Sequence, residues 1–301
     1  MYEKEKCNVT IKLGTHNGSF HCDDVVAYVI LADLFGNHTL TRTRDNKLLD
    51  EQDIVFDVGG GALDHHFTGK PYRDNGVPYA AAGLVWRTYG MQLLLKLASF
   101  LTDDERLVVH QEMDERFFQG IDAVDNGVNV DTSIPLISLP LIVNGFNPPF
   151  DSDEDEDTAF YRAAGFVKVI FHNYLNSRLA QYRARDVVKE AFKNREDPRL
   201  LVLDKGCPWL ETLLSLDRNE EVLFVVFPDR HRGYRIQTVQ KDPANFDARK
   251  NLPESWAGLQ EDELGRVIGI DDAIFVHPAR FIGGAMSFES VMKMAHLALA
   301  E

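Results

Sequence analysis

The first third of the chain concentrates side chains that bind divalent cations. His16, His21 and Asp23 lie close together, Asp57 follows an apolar run, and the triplet Asp64-His65-His66 comes shortly after it. Carboxylates and imidazoles are ligands for hard and borderline cations such as Mg²⁺ and Mn²⁺. Two such ions about 3.5–4 Å apart need several Asp and His ligands, one of which can bridge them. The set predicts a metal-dependent hydrolytic site.

Hydrophobic patterning predicts an α/β domain that positions these side chains. Residues 9–15 and 53–58 read as strands, residues 39–42 as a third short strand, and residues 23–34 as a helix. The candidate ligands fall at strand ends and at the start of the helix. Since loops at the carboxyl ends of parallel strands meet in one crevice, we expect these side chains to converge.

The rest of the chain predicts further elements in two domains. Helices are expected at 79–101, 102–124, 158–194 and 287–300, and strands at 200–203, 222–227, 234–239 and 274–277. Gly283-Gly284 reads as a turn before the last helix, and the acidic run 151–157 as a solvated loop. The turn at Asp197-Pro198 sets the boundary between domains 1–195 and 199–301.

Composition limits the functional classes. The 301 residues are 45% hydrophobic and 26% charged, which is typical of globular proteins, and no apolar run is long enough to span a membrane. The net charge of −15 argues against binding of nucleic acid through the overall charge of the protein. Three cysteines without a CxxC pair indicate a reducing compartment, and no targeting signal is visible, so a cytosolic or nuclear location is expected.

The metal-site motifs resemble those of a known superfamily. Asp64-His65-His66 after Asp57, with His16 and the His21-x-Asp23 loop upstream, is similar to the DHH phosphoesterases. More specifically, the segments 14–24, 56–60, 120–127 and 275–284 resemble the Myg-type exonuclease family, named for a melanocyte-proliferating gene. The resemblance implies an N-terminal parallel-sheet DHH-type catalytic domain that includes the long connecting helix, and a smaller C-terminal α/β substrate-binding domain.

The resemblance implies roles for individual residues. The implied metal ligands are His16, His21, Asp23, Asp57, His65 and Asp125. Asp57 would bridge two Mn²⁺ or Mg²⁺ ions, one of His65 and His66 would bind metal while the other faces the phosphate, and Asp64 would orient them as a catalytic partner. Histidine stands at position 21 where relatives carry a carboxylate, so which of His21, Asp23 and Asp24 ligate stays open. Asp122 is the alternative to Asp125.

A second implied site lies near the C-terminus. His277, Arg280, Gly283 and Gly284 occupy the place of the glycine-rich loop that closes over substrate in the superfamily. The histidine that usually follows the glycines is replaced by Ala285. These four residues are therefore the predicted substrate contacts.

The resemblance implies a metal-dependent phosphodiesterase that acts as a 3′–5′ exonuclease on RNA by two-metal-ion hydrolysis, in the nucleus or mitochondrion. The net charge of −15 keeps an alternative open, a phosphohydrolase of a small anion such as pyrophosphate, a cyclic dinucleotide or a very short oligonucleotide. A metal-stabilised scaffold without turnover is a third hypothesis. The oligomeric state does not follow from the sequence.

Overall fold

A computed structural model describes residues 9–128, 133–134, 136–242 and 247–301. Cys7 and the N-terminal residues examined for a targeting signal lie outside these ranges. The chain forms two compact units, Met1–Asn176 and Ser177–Glu301. The functional domain layout 1–195 and 199–301 stays a prediction.

The first unit contains a three-stranded sheet in which all strands are parallel. The strands are β1 Ile11–Thr15, β2 His38–Arg42 and β3 Ile54–Val55, in the order β2-β1-β3. The central strand β1 ends in side chains that are fully buried, including Leu13 and Thr15. The predicted parallel sheet is confirmed, and β1 and β3 end next to each other at the same edge.

The first unit also contains α-helices. They are α1 Cys22–Phe35, α2 Asn46–Leu49, α3 Ala81–Leu97, α4 Asp103–Met113, α5 Gln119–Asp125, α6 Leu139–Asn144 and the first part of α7 Glu156–Lys193. A π-helical turn, Asp114–Phe118, joins α4 to α5, so the helix predicted at 102–124 is continuous but locally widened. Thr102 and Glu105 form a capping box at the start of α4. Within the described ranges, no helix combines the length and the apolar character that a membrane span requires.

The core of the first unit lies between α1, α3 and α7. Val25, Val26 and Ile30 of α1 are fully buried, as expected for a helix that is apolar on most of its surface. Trp86 of α3 stacks on Phe118 with ring centroids 4.7 Å apart and donates from Nε1 to the His110 carbonyl. At the start of α3, the Ala81 N–H donates to Asp23 Oδ2 at 3.2 Å, which ties the first turn of α1, where two of the candidate ligands lie, to this core.

The second unit contains a five-stranded mixed sheet in the order β4-β5-β6-β8-β7. Its strands are β4 Leu200–Val202, β5 Phe224–Pro228, β6 Tyr234–Thr238, β7 Ala273–Val276 and β8 Ile282–Ala285. Its further helices are α8 Leu210–Leu216, α9 Glu261–Ile268 and α10 Phe288–Ala300, and a 3₁₀ turn lies at Glu254–Trp256. The strands predicted at 222–227 and 234–239 are confirmed as β5 and β6, which pair antiparallel. The mixed α/β class therefore holds for both units.

The predicted turn at Gly283-Gly284 is wrong, because both glycines lie in strand β8 between β6 and β7. A Cβ atom at Gly284 would lie 2.5 Å from the Tyr234 carbonyl oxygen, and one at Gly283 would lie 2.9 Å from the Phe275 carbonyl oxygen. The glycines thus permit close approach of neighbouring strands. The chain reverses earlier, where Arg280 adopts φ 60° and its N–H donates to the His277 carbonyl.

Candidate metal centre

The ends of two adjacent strands and one helix bring the candidate ligands together. His16 directly follows β1, and Asp57 lies two residues beyond β3. Asp23 and Asp24 lie in the first turn of α1, where the exposed N–H groups of a helix favour negative charge. The convergence expected from the sequence is present in the structure.

Asp57 lies at the centre of the cluster and is 2% exposed. Its Oδ2 is 3.2 Å from His16 Nε2, and its Oδ1 is 3.0 Å from His65 Nε2. The residue has φ 57°, a left-handed conformation that costs energy for most side chains but that Asp and Asn tolerate comparatively well. The strained backbone places one carboxylate between two imidazoles.

Three further carboxylates surround the same histidines. Asp24 Oδ2 is 3.3 Å from His16 Nε2, while Asp23 Oδ2 and Asp125 Oδ2 are 3.5 and 3.3 Å from His65 Nε2. Asp125 Oδ1 is also 3.4 Å from Nδ1 of His21, whose side chain is 57% exposed. The structure therefore brings all six predicted ligands together and adds Asp24.

Asp64 holds the adjacent loop. Its carboxylate accepts the backbone N–H groups of Gly60 and His66, at 2.7 and 3.0 Å, and its Oδ1 is 2.8 Å from His66 Nδ1. Burial acts to raise the pKa of Asp64, but these hydrogen bonds lower it below the usual range. This geometry matches an orienting role for Asp64. His66, half-exposed, is left with Nε2 unpartnered by any described residue.

The cluster carries more negative charge than its own histidines balance. Burial raises the pKa of Asp23 and Asp24, and burial together with repulsion by Asp23 raises that of Asp125 to about 7. Burial also opposes ionisation of Asp57, but His16 and His65 outweigh it and lower its pKa to about 2. Four carboxylates thus crowd around the two buried imidazoles of His16 and His65, which is the electrostatic setting of a cation site.

The histidines respond to the same charges. Burial alone would lower the pKa of His16 and His65, but the adjacent carboxylates, Asp24 and Asp57 for His16 and Asp23 and Asp57 for His65, outweigh burial and raise each pKa to about 10. Without another cation, protonated imidazoles are therefore the main positive charges in the cluster.

The buried polar atoms fit a bound cation. Among the described residues, both oxygens of Asp57, one each of Asp23 and Asp24, and Nε2 of His65 have no aligned hydrogen-bond partner. Buried polar groups are otherwise almost always satisfied, so such a convergence indicates an ion. Three sets of ligand atoms lie close enough to hold one: Asp57, His65 and His66; His16, Asp24 and Asp57; and His21, Asp23 and Asp125. Asp57 belongs to two sets.

Asp122, the alternative fourth-motif aspartate, is engaged elsewhere. It accepts from Arg73 Nη2 at 2.8 Å and from the Gly83 N–H at 3.0 Å. Burial raises its pKa to about 7 even though Arg73 acts to lower it. A Cβ atom at Gly83 would collide with this carboxylate at 1.9 Å, so the glycine allows helix α3 to accept Asp122 from α5. Asp122 anchors the helix that ends in Asp125.

Two residues that the sequence did not indicate hold the loop between His16 and His21. Asn147 pairs with the backbone of Phe20 in both directions, accepting its N–H and donating to its carbonyl at 2.9 Å each. Arg42 donates to the Gly18 carbonyl at 2.6 Å and lies over the Phe160 ring. Asn147 is 127 residues from Phe20, so no local pattern could have revealed the contact; the Asn-Pro-Pro sequence around it resembles an ordinary turn.

The buried cluster opens to one side through a cleft of about 480 Å³. The cleft is lined by His21, His65, His66, Phe67, Thr68, Lys70, Asp125 and Asn126. A substrate in this cleft would lie against the partly exposed ligands, while the deeper carboxylates stay covered.

The four predicted substrate contacts belong to the second unit and lie on one β7–β8 hairpin. His277 is exposed, accepts the Ala279 N–H at Nδ1, and has its ring 4.6 Å from that of Phe281. Arg280 is half-buried and donates weakly to the Leu252 carbonyl. Gly283 and Gly284 lie inside β8 and shape its packing. A substrate role for this hairpin stays a prediction.

Comparison with known proteins identifies the family. Residues 12–299 match the model of the MYG1 exonuclease family, described as uncharacterised protein family UPF0160. The MYG1 exonuclease of Rattus norvegicus is 35% identical, over 96% of this chain and 85% of its own length. That of Homo sapiens is 34% identical, over 96% and 86%. A MYG1 protein of Schizosaccharomyces pombe is 29% identical, over 97% and 98%. The chain belongs to the MYG1 exonuclease family.

Proposed function

We propose that this chain is a metal-dependent phosphodiesterase that acts as a 3′–5′ exonuclease on RNA with two Mn²⁺ or Mg²⁺ ions, and that its first unit is a DHH-type catalytic domain. The observation that carries the proposal is the Asp57-centred cluster, in which buried carboxylate oxygens lack aligned partners among the described residues. The names of the mammalian relatives support a nuclease-type hydrolase.

The ligand sets suggest how two ions would be shared. Asp57 would bridge, with His16 and Asp24 on one side. His65, Asp23 and Asp125, which contact one another through His65 Nε2, would serve the other side, with His21 at its exposed end. Bound ions would lower the pKa of the attacking water and offset the negative charge that develops on the phosphoryl oxygens.

The remaining residues would position the phosphodiester. Asp64 accepts from Nδ1 of His66, which leaves Nε2 for the substrate; in the imidazolium form, His66 would donate from Nε2 to a nonbridging phosphate oxygen. In the hydrolysis, water oxygen bonds to phosphorus, the P–O3′ bond breaks, and the departing 3′ oxygen takes up the proton that water loses. The products are a nucleoside 5′-monophosphate and an oligomer shorter by one nucleotide. His277 and Arg280 of the second unit stay the predicted further substrate contacts.

Two observations about charge favour the alternative of a smaller substrate. The chain has a net charge of −15, and the cleft has a single Lys or Arg among its described lining residues. A long single strand is usually bound in a basic groove. A pyrophosphate, cyclic dinucleotide or very short oligonucleotide would need less positive charge.

The test is hydrolysis of a 5′-labelled RNA oligomer of roughly 20 nucleotides, longer than a single compact binding site needs. Metal-stripped protein is assayed with and without Mn²⁺, beside Asp57→Asn and Asp151→Asn. Asparagine at position 57 keeps a residue that tolerates the left-handed backbone. Asp151 lies in the exposed acidic run and is the matched control.

We expect a Mn²⁺-dependent ladder that shortens from the 3′ end in wild type and Asp151→Asn. Asp57→Asn should lose about 10²–10³-fold in rate, the usual effect of removing a group that stabilises the transition state electrostatically. If the RNA stays uncut while pyrophosphate or a dinucleotide is hydrolysed, the result would refute the RNA exonuclease and support the small-substrate alternative. An Asp57→Asn protein that cleaves at the wild-type rate would refute the bridging role.

A further inference from the structure

The cleft beside the metal cluster has one rim that is neither acidic nor imidazole. Phe67, Thr68 and Lys70 follow His66 directly and line the same cleft as Asp125 and Asn126. Gly69 between them has φ 91°, a conformation that other residues rarely adopt. This glycine turns the chain so that an aromatic and a cationic side chain border one opening. We call residues 67–70 the cleft rim.

Lys70 is positioned to receive an anion. Its ammonium donates to Oδ1 of Asn126, the residue after the candidate ligand Asp125. Asn126 is itself held, since its Nδ2 donates to the carbonyls of Tyr79 and Asp122. Within the described ranges, no carboxylate forms an ion pair with Lys70. An ammonium has three donors, so at least one is available to a phosphate oxygen.

Phe67 presents an apolar ring without a partner. The residue is 44% exposed although it borders a cleft lined by polar groups. Many aromatic side chains of the first unit pack in pairs, as Phe20 does with Phe160 and Trp86 with Phe118. Among the described residues, Phe67 has neither a ring partner nor a cation above its face. Aromatic rings exposed beside a cation are the usual platforms for nucleobases.

We propose that the cleft rim recognises the terminal nucleotide of the substrate, with Phe67 stacking on its base and Lys70 contacting a phosphate. The proposal rests on the proposed phosphodiesterase function and narrows its substrate to a phosphodiester that carries a nucleobase. A single cation suits one phosphate, which agrees with a grip on the end of a strand in a chain of net charge −15. Pyrophosphate has no base and could not use Phe67.

The test compares two RNA oligomers that differ only in their 3′-terminal nucleotide, which either carries its base or is abasic. Wild type, Phe67→Ala and Phe150→Ala are assayed for kcat/KM with Mn²⁺. Phe150 is fully exposed outside the cleft, so it is a matched control for loss of a surface ring. Lys70→Met is compared with Lys47→Met, which removes an exposed lysine from α2.

Phe67→Ala should lower kcat/KM by about ten- to a hundredfold on the base-bearing oligomer, the range measured for aromatic stacking on single strands. The loss should shrink to under about threefold on the abasic oligomer, because no base is left to stack. Lys70→Met should lower kcat/KM on both oligomers and reduce its dependence on salt. Equal losses for Phe67→Ala on both oligomers, or none on either, would overturn the stacking assignment.

A binding measurement separates this proposal from the proposed function. A 3′-terminal 2-aminopurine is quenched when it stacks on an aromatic ring, whether or not the strand is cut. Quenching by wild type and Phe150→Ala but not by Phe67→Ala supports the cleft rim even if no phosphodiester is hydrolysed. Active hydrolysis with equal quenching by wild type and Phe67→Ala would leave the phosphodiesterase standing and refute the cleft rim.

Discussion

Two buried aspartates, Asp217 of the second unit and Asp57 of the first, differ in how far their carboxylates are satisfied. In the second unit, Asp217 is 3% exposed and both of its oxygens are engaged, by the Glu221 and Val222 N–H groups and by the Arg249 guanidinium. In the first unit, Asp57 is 2% exposed, and neither of its oxygens has an aligned donor among the described residues. Similar burial therefore leads to one satisfied carboxylate and one that is not.

The difference separates a structural charge from a functional one. Satisfied buried groups stabilise a particular fold, and removing one partner leaves an uncompensated charge. Unsatisfied carboxylates that crowd together cost stability unless a ligand compensates them, and so they mark sites that bind ions. The Asp217–Arg249 pair should thus control unfolding, whereas Asp57 should control the response to metal.

The largest expected effect is the loss of folding stability when the satisfied carboxylate, Asp217, is removed. Asp217→Ala leaves Arg249 and two backbone N–H groups without their acceptor, so we expect the free energy of unfolding to fall by about 3–5 kcal/mol. Urea unfolding in EDTA measures it. Asp186→Ala, which removes a carboxylate that is 93% exposed, is the control and should change stability by under about 0.5 kcal/mol. A loss below about 1 kcal/mol for Asp217→Ala would show that Asp217 is not an anchor.

The next effect is the stabilisation by Mn²⁺ that depends on the unsatisfied carboxylate, Asp57. Mn²⁺ at about a hundredfold excess over its dissociation constant should raise the free energy of unfolding of wild type by about 2.7 kcal/mol, because it binds the folded cluster. Asp57→Asn should lose most of this increment, and Asp217→Asn should keep it. Unfolding curves with Mn²⁺ and with EDTA give the comparison. An undiminished increment in Asp57→Asn would place the cation outside the cluster.

Much of the site followed from the sequence because the rule that assembles it is general. Patterning predicted β1 and α1 closely, and parallel strands bring their carboxyl ends to one edge wherever they occur. His16 and Asp57 were therefore expected to converge, and the pairing of β1 with β3 brings them together. The long helix α7 was also predicted, with its start two residues too late, because its apolar residues keep a helical spacing.

Other features depended on contacts between distant residues. The pairing of Asn147 with Phe20 joins two loops and leaves no periodic trace. Gly283-Gly284 looked like a turn, but close packing of β8 against its neighbours requires the same residue type. The π-helical turn at Asp114–Phe118 continues an apolar spacing that an α-helix would share. Local patterns cannot distinguish such cases.

A smaller effect, on Mn²⁺ affinity, should follow from loosening the loop between His16 and His21. Asn147→Ala removes both hydrogen bonds to Phe20, which lies between the candidate ligands His16 and His21. We expect Mn²⁺ affinity to fall about tenfold, the low end for partners that orient metal ligands. Titration calorimetry measures the affinity, with Asn37→Ala, an exposed asparagine before β2, as the control. A lower unfolding free energy with unchanged Mn²⁺ affinity would make Asn147 structural only.

The smallest effect is the pH dependence of the stability that Asp217 contributes. It tests the charge of this second-unit carboxylate most directly. Burial acts to raise the pKa of Asp217, but the N–H of Val222 and the Arg249 guanidinium outweigh it and lower that pKa. A carboxyl group whose folded-state pKa is lowered contributes stability above its unfolded pKa of about 3.9 and loses it as pH falls through the folded value. Asp217→Asn has no such contribution. The gap in unfolding free energy between wild type and Asp217→Asn, measured in EDTA, should therefore be constant near neutral pH and should narrow below about pH 4. A gap that stays constant into the acid range would mean that Asp217 acts through packing and hydrogen bonds alone, and the contrast with Asp57 would then lie in hydrogen bonding rather than in charge.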